Sequence, residues 1–334
     1  MIAVSTFSGC GGSSLGLKMA GWTIPVAYEF MPKAASSYRA NAPDTVVVEK
    51  DIRQVTGEEV NAMAGVKHGE LDLLEGSPPC AAFSMTGKRE KGWGEEKKYS
   101  KTVQRVDDLF FEFLRVMREA NPRAVMMENV AGMAMGNAKT YLNAVIRELR
   151  EAGYGRVDVR VYCSSHYGVP QFRKRIVFVA LRDDVVGEYT PPEPSGRLVD
   201  LREGLEGVPL PTCTEEQAKF LSGDKMGAFL YRATVPGSSL SHASLARRGV
   251  EGWFNHFRLS WDRPTPTVLQ AGCWLYHPDI ARCLTVPEMR RICGFPDSFA
   301  LTGSRNDRYE RLGRSVTPPL YEAIGKKVLE ALSE

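Results

Sequence analysis

Apolar and polar positions along this chain follow two alternating rhythms. Short apolar runs of strand character occur at residues 2–7, 26–29, 46–48, 71–74, 123–127, 156–161 and 175–181. Between them, residues 14–20, 33–40, 108–119 and 139–152 carry apolar side chains at helical spacing, and Gly9, Gly11 and Gly12 mark a turn between the first strand and the first helix. Strands that alternate with helices need crossover connections. Such connections are right-handed and cover both faces of the sheet, so the pattern predicts an α/β fold with a doubly wound, mostly parallel sheet.

The rhythm changes at Tyr189-Thr190-Pro191-Pro192-Glu193-Pro194-Ser195-Gly196, and from there to about residue 279 the chain is turn-rich and weakly periodic. Helical periodicity returns at 286–293 and 319–332. The expected organisation is a first domain made of residues 1–188 and 280–334, with a smaller irregular domain at 189–279. The last helix is expected to pack back beside the N-terminal strand.

Bulk properties restrict the class of function. With 334 residues, 43% apolar and 25% charged, the composition is that of an ordinary soluble globular protein. Lys and Arg outnumber Asp and Glu by 43 to 40, so any nucleic-acid footprint has to be local. No apolar stretch reaches membrane-spanning length, and Met1 leads straight into an apolar strand with no basic leader. The seven cysteines form no CxxC pair and the five histidines are not spaced as ligands. This points away from metal and disulfides, and towards a reducing cytoplasm.

Chemistry concentrates in a few segments. Phe7-Ser8-Gly9-Cys10-Gly11-Gly12 follows a strand and opens a helix. It reads either as a tight turn or as a loop that lets the backbone approach a nucleotide. Glu29 ends the next strand, where doubly wound folds place a ribose-diol acceptor, and Asp51-Ile52 after the third strand suits an adenine edge. With no P-loop lysine, the three favour an adenosine cofactor lacking a phosphate chain. Further on, Gly76-Ser77-Pro78-Pro79-Cys80 holds a cysteine on a proline turn, and Glu128-Asn129-Val130 ends an apolar strand. A thiolate with a carboxylic acid suits covalent addition to an electron-poor ring such as cytosine: sulfur adds at C6 while the acid protonates N3. The bland reading of Cys80 is a packed structural cysteine.

These segments resemble, in order, the motifs of the DNA (cytosine-5) methyltransferase family of bacterial and phage type, nearly end to end. The correspondence includes Gln171-Phe172-Arg173-Lys174-Arg175, Arg263-Pro264-Thr265-Pro266-Thr267 and Gly313-Arg314-Ser315-Val316. The resemblance implies the S-adenosylmethionine-dependent methyltransferase type of fold, with 189–279 as target-recognition domain. It implies S-adenosyl-L-methionine as cofactor, held by Phe7, Gly9, Cys10, Gly11, Gly12, Glu29, Phe30, Asp51, Ile52, Pro78, Leu109, Ser315 and Val316. It implies double-stranded DNA as partner, with the target base flipped out of the duplex to reach Cys80 and Glu128. Arg173 and Arg175, two apart on a predicted strand, are expected on one face, one to hold the cytosine O2 and the other to steady the acid or a phosphate. A monomer suffices for flipping one base at a time.

The polar stretch after Cys80 carries Lys88, Arg89, Lys97 and Lys98. It is either a solvated charge run or, as favoured here, a loop that closes on DNA phosphates. Gln171, Arg232, Arg247 and Arg248 are further candidate DNA contacts, and Arg232, Arg247 and Arg248 could equally be ordinary surface. Related alternatives are a tRNA cytosine methyltransferase, whose Cys-Phe-Thr marker is absent, and an inactive DNA-binding regulator.

Two positions depart from the family pattern. Ala81 stands where Gln is usual, and Arg314 where Asn is usual. An inward Arg314 at about 4–5 Å from a sulfonium would cost about 3–4 kcal/mol at an effective dielectric near 20. A carboxylate on the transferred carbon would relieve that cost, making carboxy-S-adenosyl-L-methionine the cofactor and 5-carboxymethylcytosine the product. An outward Arg314 leaves methyl transfer.

Overall fold

The computed structural model of the chain describes residues 1–79, 96–99, 102–105, 109–135, 138–221, 225–249, 252–270 and 274–334. Two compact units divide it. The first comprises Met1–Tyr162, Lys174–Glu193 and Tyr321–Glu334, and the second Cys163–Arg173 and Pro194–Leu320.

The first unit runs β1 (Ala3–Thr6), α1 (Gly12–Met19), β2 (Val26–Tyr28), α2 (Pro32–Asn41), β3 (Val46–Val48), α3 (Gly57–Ala64), β4 (Leu73–Gly76), β5 (Glu96–Tyr99), β6 (Thr102–Arg105), α4 (Leu109–Ala120), β7 (Ala124–Val130), α5 (Ala138–Glu151), β8 (Arg156–Cys163) and β9 (Lys174–Leu181). Seven strands form one sheet in the order β3-β2-β1-β4-β7-β9-β8. β1 pairs parallel with β2 and β4, β2 with β3 and β4 with β7, while β9 runs antiparallel to β7. The predicted doubly wound, mostly parallel sheet is therefore present. Its central strands are apolar because helices cover both faces: Val4, Leu74, Val125 and Phe178 share one core with Phe110 and Phe113 of α4.

The strand order has a functional consequence. The chain lays down β2 and β3 on one side of β1, then returns to place β4 on the other. Where the direction of winding reverses, the loops after β1 and β4 part and leave a crevice at the carboxyl ends of the strands. The glycine loop follows β1, and the turn towards Cys80 follows β4. Gly76 ends β4 at a close approach, since a Cβ there would lie 2.4 Å from Thr6 Oγ1 and 2.6 Å from the Phe113 ring. The last helix, α11 (Pro318–Ser333), does return to β1's side of this unit, where Trp22 Nε1 donates to Gly325 O at 3.0 Å.

The second unit contains α6 (Leu201–Gly204), α7 (Lys225–Ala233), β10 (Ser238–Ser239), α8 (Leu240–Arg248), β11 (Phe257–Arg258), β12 (Leu275–Tyr276), α9 (Val286–Ile292) and α10 (Arg305–Arg314). Its three short strands pair in the order β10-β11-β12. Leu230, Tyr231, Leu240, Ala243 and Tyr276 form a small core. This unit takes in 163–173 and 280–320, beyond the segment 189–279 read from the sequence. It is also more regular than the turn-rich composition suggested. α8 starts where Ser239 caps the Ser241 amide and stops at Gly249, whose φ of +65° places it in the left-handed region. Thr285 and Glu288 close a capping box at α9, and Ser304 and Asp307 do so at α10.

Candidate active site

The loop after β1 is shaped by backbone geometry that few residues accept. Phe7 has φ +51°, Gly9 +57° and Gly11 +95°. A non-glycine residue in the left-handed region costs about 1–3 kcal/mol and is found where function fixes the backbone. Phe7 stays there because its ring packs against the core that includes Ile52 and Leu109. A Cβ on Gly11 would meet the Tyr38 ring at 3.0 Å, so this turn admits no side chain. Gly11 N donates to Ser8 O at 2.9 Å, Cys10 is buried, and α1 opens at Gly12.

Glu29 faces this loop. Its carboxylate accepts from Gly9 N and Met31 N, each at 2.7 Å, and is nearly buried. Phe30, immediately after it, leaves its ring 39% exposed, the posture of a side chain that stacks on a planar ligand. Asp51 caps the short turn Ile52–Gln54 by accepting from Arg53 N at 3.0 Å, and pairs with the Arg53 side chain at 3.1 Å. A tight glycine loop, an acid at the end of β2 and an exposed ring beside it suit an adenosine-type ligand without phosphates.

Glu128 and Arg175 meet across two strands. The register sets Glu128 opposite Val177, and Arg175, two residues along β9, lies on the same face. Arg175 Nε reaches Glu128 Oε1 at 2.7 Å, with both side chains nearly buried. The neighbouring residue does something sequence reasoning passed over. Asn129 Nδ2 donates to Pro78 O at 3.1 Å, while its Oδ1 accepts from Val130 N at 2.8 Å. The strand end that carries the acid thus grips the buried proline turn leading into Cys80. The only signal for it was the asparagine within Glu128-Asn129-Val130, whose amide can both donate and accept.

Two expectations require correction. Arg173 does not share a strand face with Arg175, because β9 begins at Lys174. It is 2% exposed, and its Nη1 and Nη2 donate to Val268 O and Gly313 O at 3.1 and 3.0 Å. It props backbone in the second unit instead of presenting its donors to a base. Gln171, expected at DNA, is fully buried: its Nε2 donates to Ile292 O at 3.0 Å and its Oε1 accepts from Val268 N at 3.0 Å. In both cases the spacing of the motif was real, but burial turned the polar groups inward.

Arg314 ends α10 and pairs with Glu310 one turn back, Nη2 to Oε1 at 2.7 Å. Ser315 and Val316, just after it, are buried. Cys80, Ala81, Lys88 and Arg89 lie outside the described residues; Lys97 and Lys98 fall on β5, Arg247 and Arg248 on α8, and Arg232 is exposed on α7. Among the described residues, no group of three or more His, Cys, Asp or Glu is placed to hold a metal, and no helix is long and apolar enough to cross a membrane.

The sheet order, its switch point and the glycine loop after β1 define the fold of the S-adenosylmethionine-dependent methyltransferases. The family model described as C-5 cytosine-specific DNA methylase matches residues 1–330, and the chain belongs to that family. Among similar proteins is the Type II methyltransferase M.PspPI of Psychrobacter sp., 30% identical, with the alignment covering 99% of this chain and 79% of the relative. Another is M.NgoMIV of Neisseria gonorrhoeae, 29% identical over 98% of this chain and 96% of the relative. A solved structure of an Escherichia coli prophage protein, described as a DNA modification methyltransferase, superposes with a TM-score of 0.78 at 20% identity, covering 100% of both chains. Spodoptera frugiperda DNMT2 gives 0.68 at 19% identity, covering 100% of this chain and 99% of that one. Both share the fold.

Proposed function

We propose that this protein methylates cytosine at C5 in double-stranded DNA, with Cys80 as nucleophile and Glu128 as acid. The observation that carries the reading is the end of β7. There, Glu128 is held by Arg175 at 2.7 Å and the adjacent Asn129 holds Pro78 O at 3.1 Å, so one strand end orients the acid and the turn preceding the nucleophile. Addition of a thiolate to C6 makes C5 electron-rich only if N3 takes a proton at the same time. Arg175 occupies Glu128 Oε1 and leaves Oε2 for the ring, which fixes the direction of that proton transfer.

S-adenosyl-L-methionine, when bound, supplies an electrophilic carbon on sulfonium. The chain's part is to hold it. The glycine loop of residues 9–12 would line the ligand, Glu29 would accept from its ribose, Phe30 would stack on its adenine and Asp51 would take the exocyclic amine. C5 takes the carbon as that carbon's bond to sulfonium breaks and a neutral thioether leaves. The C5 proton then leaves to a base, and the C6–S bond breaks as N3 returns its proton to Glu128, restoring cytosine aromaticity and the Cys80 thiolate. The base must leave the duplex for this chemistry, because C6 and C5 are covered by stacking.

The group transferred is methyl. The Arg314–Glu310 pair supports this, since a guanidinium already neutralised within its own helix has less need of a cofactor carboxylate. The first unit, which contains the glycine loop, Glu29, Glu128 and Arg175, carries the catalysis, and residues 189–279, largely within the second unit, recognise the target sequence. Arg232, Arg247 and Arg248 within it, with Lys88, Arg89, Lys97 and Lys98, serve the phosphates.

Mass spectrometry of nucleosides from DNA incubated with the purified protein tests the reading. We expect 5-methylcytosine with S-adenosyl-L-methionine, and none from Cys80→Ala, which still binds DNA. Product that appears only with carboxy-S-adenosyl-L-methionine, and switches to methyl in Arg314→Asn, would make Arg314 the cofactor selector instead. DNA binding without product from the wild type would indicate a regulator. Product in tRNA but not DNA would indicate the tRNA-modifying alternative.

A further inference from the structure

One buried acid has no part in the chemistry described so far. Glu75, on β4 one residue before Gly76, is completely buried. β4 pairs with β1 so that Glu75 stands opposite Ser5. Glu75 Oε2 lies 2.6 Å from Ser5 Oγ, Ser5 Oγ lies 2.9 Å from Ser8 Oγ, and Ser8 Oγ lies 3.2 Å from Tyr28 O. Glu75 Oε1 is sealed from solvent with no hydrogen-bond partner. The charged and titratable groups that face this carboxyl are Glu128 from β7, Tyr38 from α2 and Tyr321 from α11, with the Ser13 hydroxyl from α1. Among the described residues, none of the groups facing it is a cation.

The hydrogens in this chain can be counted. Three contacts need three hydrogens, Tyr28 O can only accept, and two hydroxyls supply two. One Ser5 hydrogen cannot serve both Glu75 and Ser8, so keeping all three contacts as hydrogen bonds places the third hydrogen on Glu75. The neutral acid then donates to Ser5, Ser5 to Ser8, and Ser8 to the Tyr28 carbonyl. An ionised Glu75 would force one link to open and would leave a buried charge with no cation among the described groups facing it. Burial independently favours the same state. Loss of solvent pushes this carboxyl up to about 8, against the opposing pull of the nearby Ser5 and Ser13 hydroxyls, with the negative Glu128 adding to the rise.

The far end of the chain is Ser8, inside the loop whose Gly9 amide holds Glu29 and whose Ser8 carbonyl accepts from Gly11 N. The near end is the strand that runs into the turn preceding Cys80. We propose that Glu75 is a positioning residue that works in its neutral form, fixing the glycine loop through Ser5 and Ser8, so that cofactor affinity is lost when this acid ionises. This rests on the reading of that loop as the cofactor site.

The test uses the full chain and S-adenosyl-L-homocysteine, with Kd measured by calorimetry from pH 7 to 9.5. If binding requires the neutral acid, affinity falls about 30-fold over that range. Glu75→Gln keeps a donor towards Ser5 and cannot ionise, so its fall should be at least tenfold smaller. The ligand's own α-amino group titrates in the same range but affects both proteins equally. Ser8→Ala, which cuts the chain at the loop, should flatten the profile as Glu75→Gln does.

A second readout needs no ligand. Because the folded acid holds its proton more tightly than the unfolded one, its contribution to stability is fully present below about 4.5 and is lost as pH rises towards about 8. Urea unfolding of wild type relative to Glu75→Gln should therefore lose about tenfold in folding constant per pH unit across that window, then level off. Parallel pH profiles of binding, or a pH-independent stability difference, would overturn the role of Glu75 alone. Absence of binding to either protein at pH 7 would overturn the cofactor reading and this proposal with it.

Discussion

Glu128 is constrained from both sides by its neighbours in space and in sequence. Arg175 fixes one carboxylate oxygen, and Asn129 ties the backbone just beyond to the Pro78 carbonyl. A reaction that needs an acid and a nucleophile on the same ring depends on their separation as much as on their identity. Asn129→Ala deletes both side-chain hydrogen bonds at a position only 4% exposed. The buried Pro78 carbonyl loses a donor, and we expect a cost of about 1–3 kcal/mol by urea unfolding. The loss of kcat should exceed what that destabilisation explains, because the turn before Cys80 loses its tether. An unfolding cost with unchanged kcat would show the contact to be merely structural. Glu128 and Cys80 could be proposed from the sequence because the chemistry read for them demands particular residue types. Asn129, Ser5, Ser8 and Glu75 could not, because their roles arise from pairing across β1, β4 and β7, which no local pattern announces.

At the scale of elements, what could be read depended on whether periodicity or caps carried the signal. Apolar runs located the seven strands of the main sheet. Helix α3 was missed, although Thr56 caps the Glu59 amide and Gly65 closes the helix with φ +73°. Helix α10 was missed because its middle is largely charged, yet Ser304 and Asp307 form a capping box visible as Ser-x-x-Asp. That omission mattered. Only as a helix does the segment put Glu310 one turn from Arg314. The hairpin β5–β6 lies in the stretch read as a closing loop, where charges hide its alternation. Caps also carry a stability prediction. At α9, burial pushes the Glu288 carboxyl up, but hydrogen bonds from Arg282 and the Thr285 amide, with attraction to Arg282, outweigh it and hold the group below the usual range. A depressed acid contributes stability above its unfolded pKa and loses it as pH falls. Glu288→Gln should therefore destabilise at pH 7, and the gap to wild type should close as the pH drops below about 4. Thr285→Ala should cost about 1 kcal/mol at either pH. Denaturation at pH 7 and pH 3 checks both.

For the whole molecule, the winding of the chain explains why the chemistry lies where it does. The switch between β1 and β4 opens a crevice, and the segments proposed to carry the chemistry follow those two strands: glycines after β1, and the proline turn leading to Cys80 after β4. A net charge of +3 gives no long-range pull on DNA, so affinity must come from local basic segments and fall with salt. The most direct test of the account is a covalent trap. Duplex DNA bearing 5-fluorocytosine at the target presents the same C6, but after group transfer carries fluorine where a proton must leave. Elimination of the cysteine then stops, and enzyme and DNA stay joined. The target sequence comes from mapping 5-methylcytosine in plasmid DNA modified by the wild type. We predict an adduct that resists denaturing electrophoresis, forms only with S-adenosyl-L-methionine present, maps to Cys80 by peptide mass and is absent from Cys80→Ala. A wild-type protein that methylates the ordinary duplex at that sequence but yields no adduct on the fluorinated one, or an adduct at another residue, would contradict the mechanism.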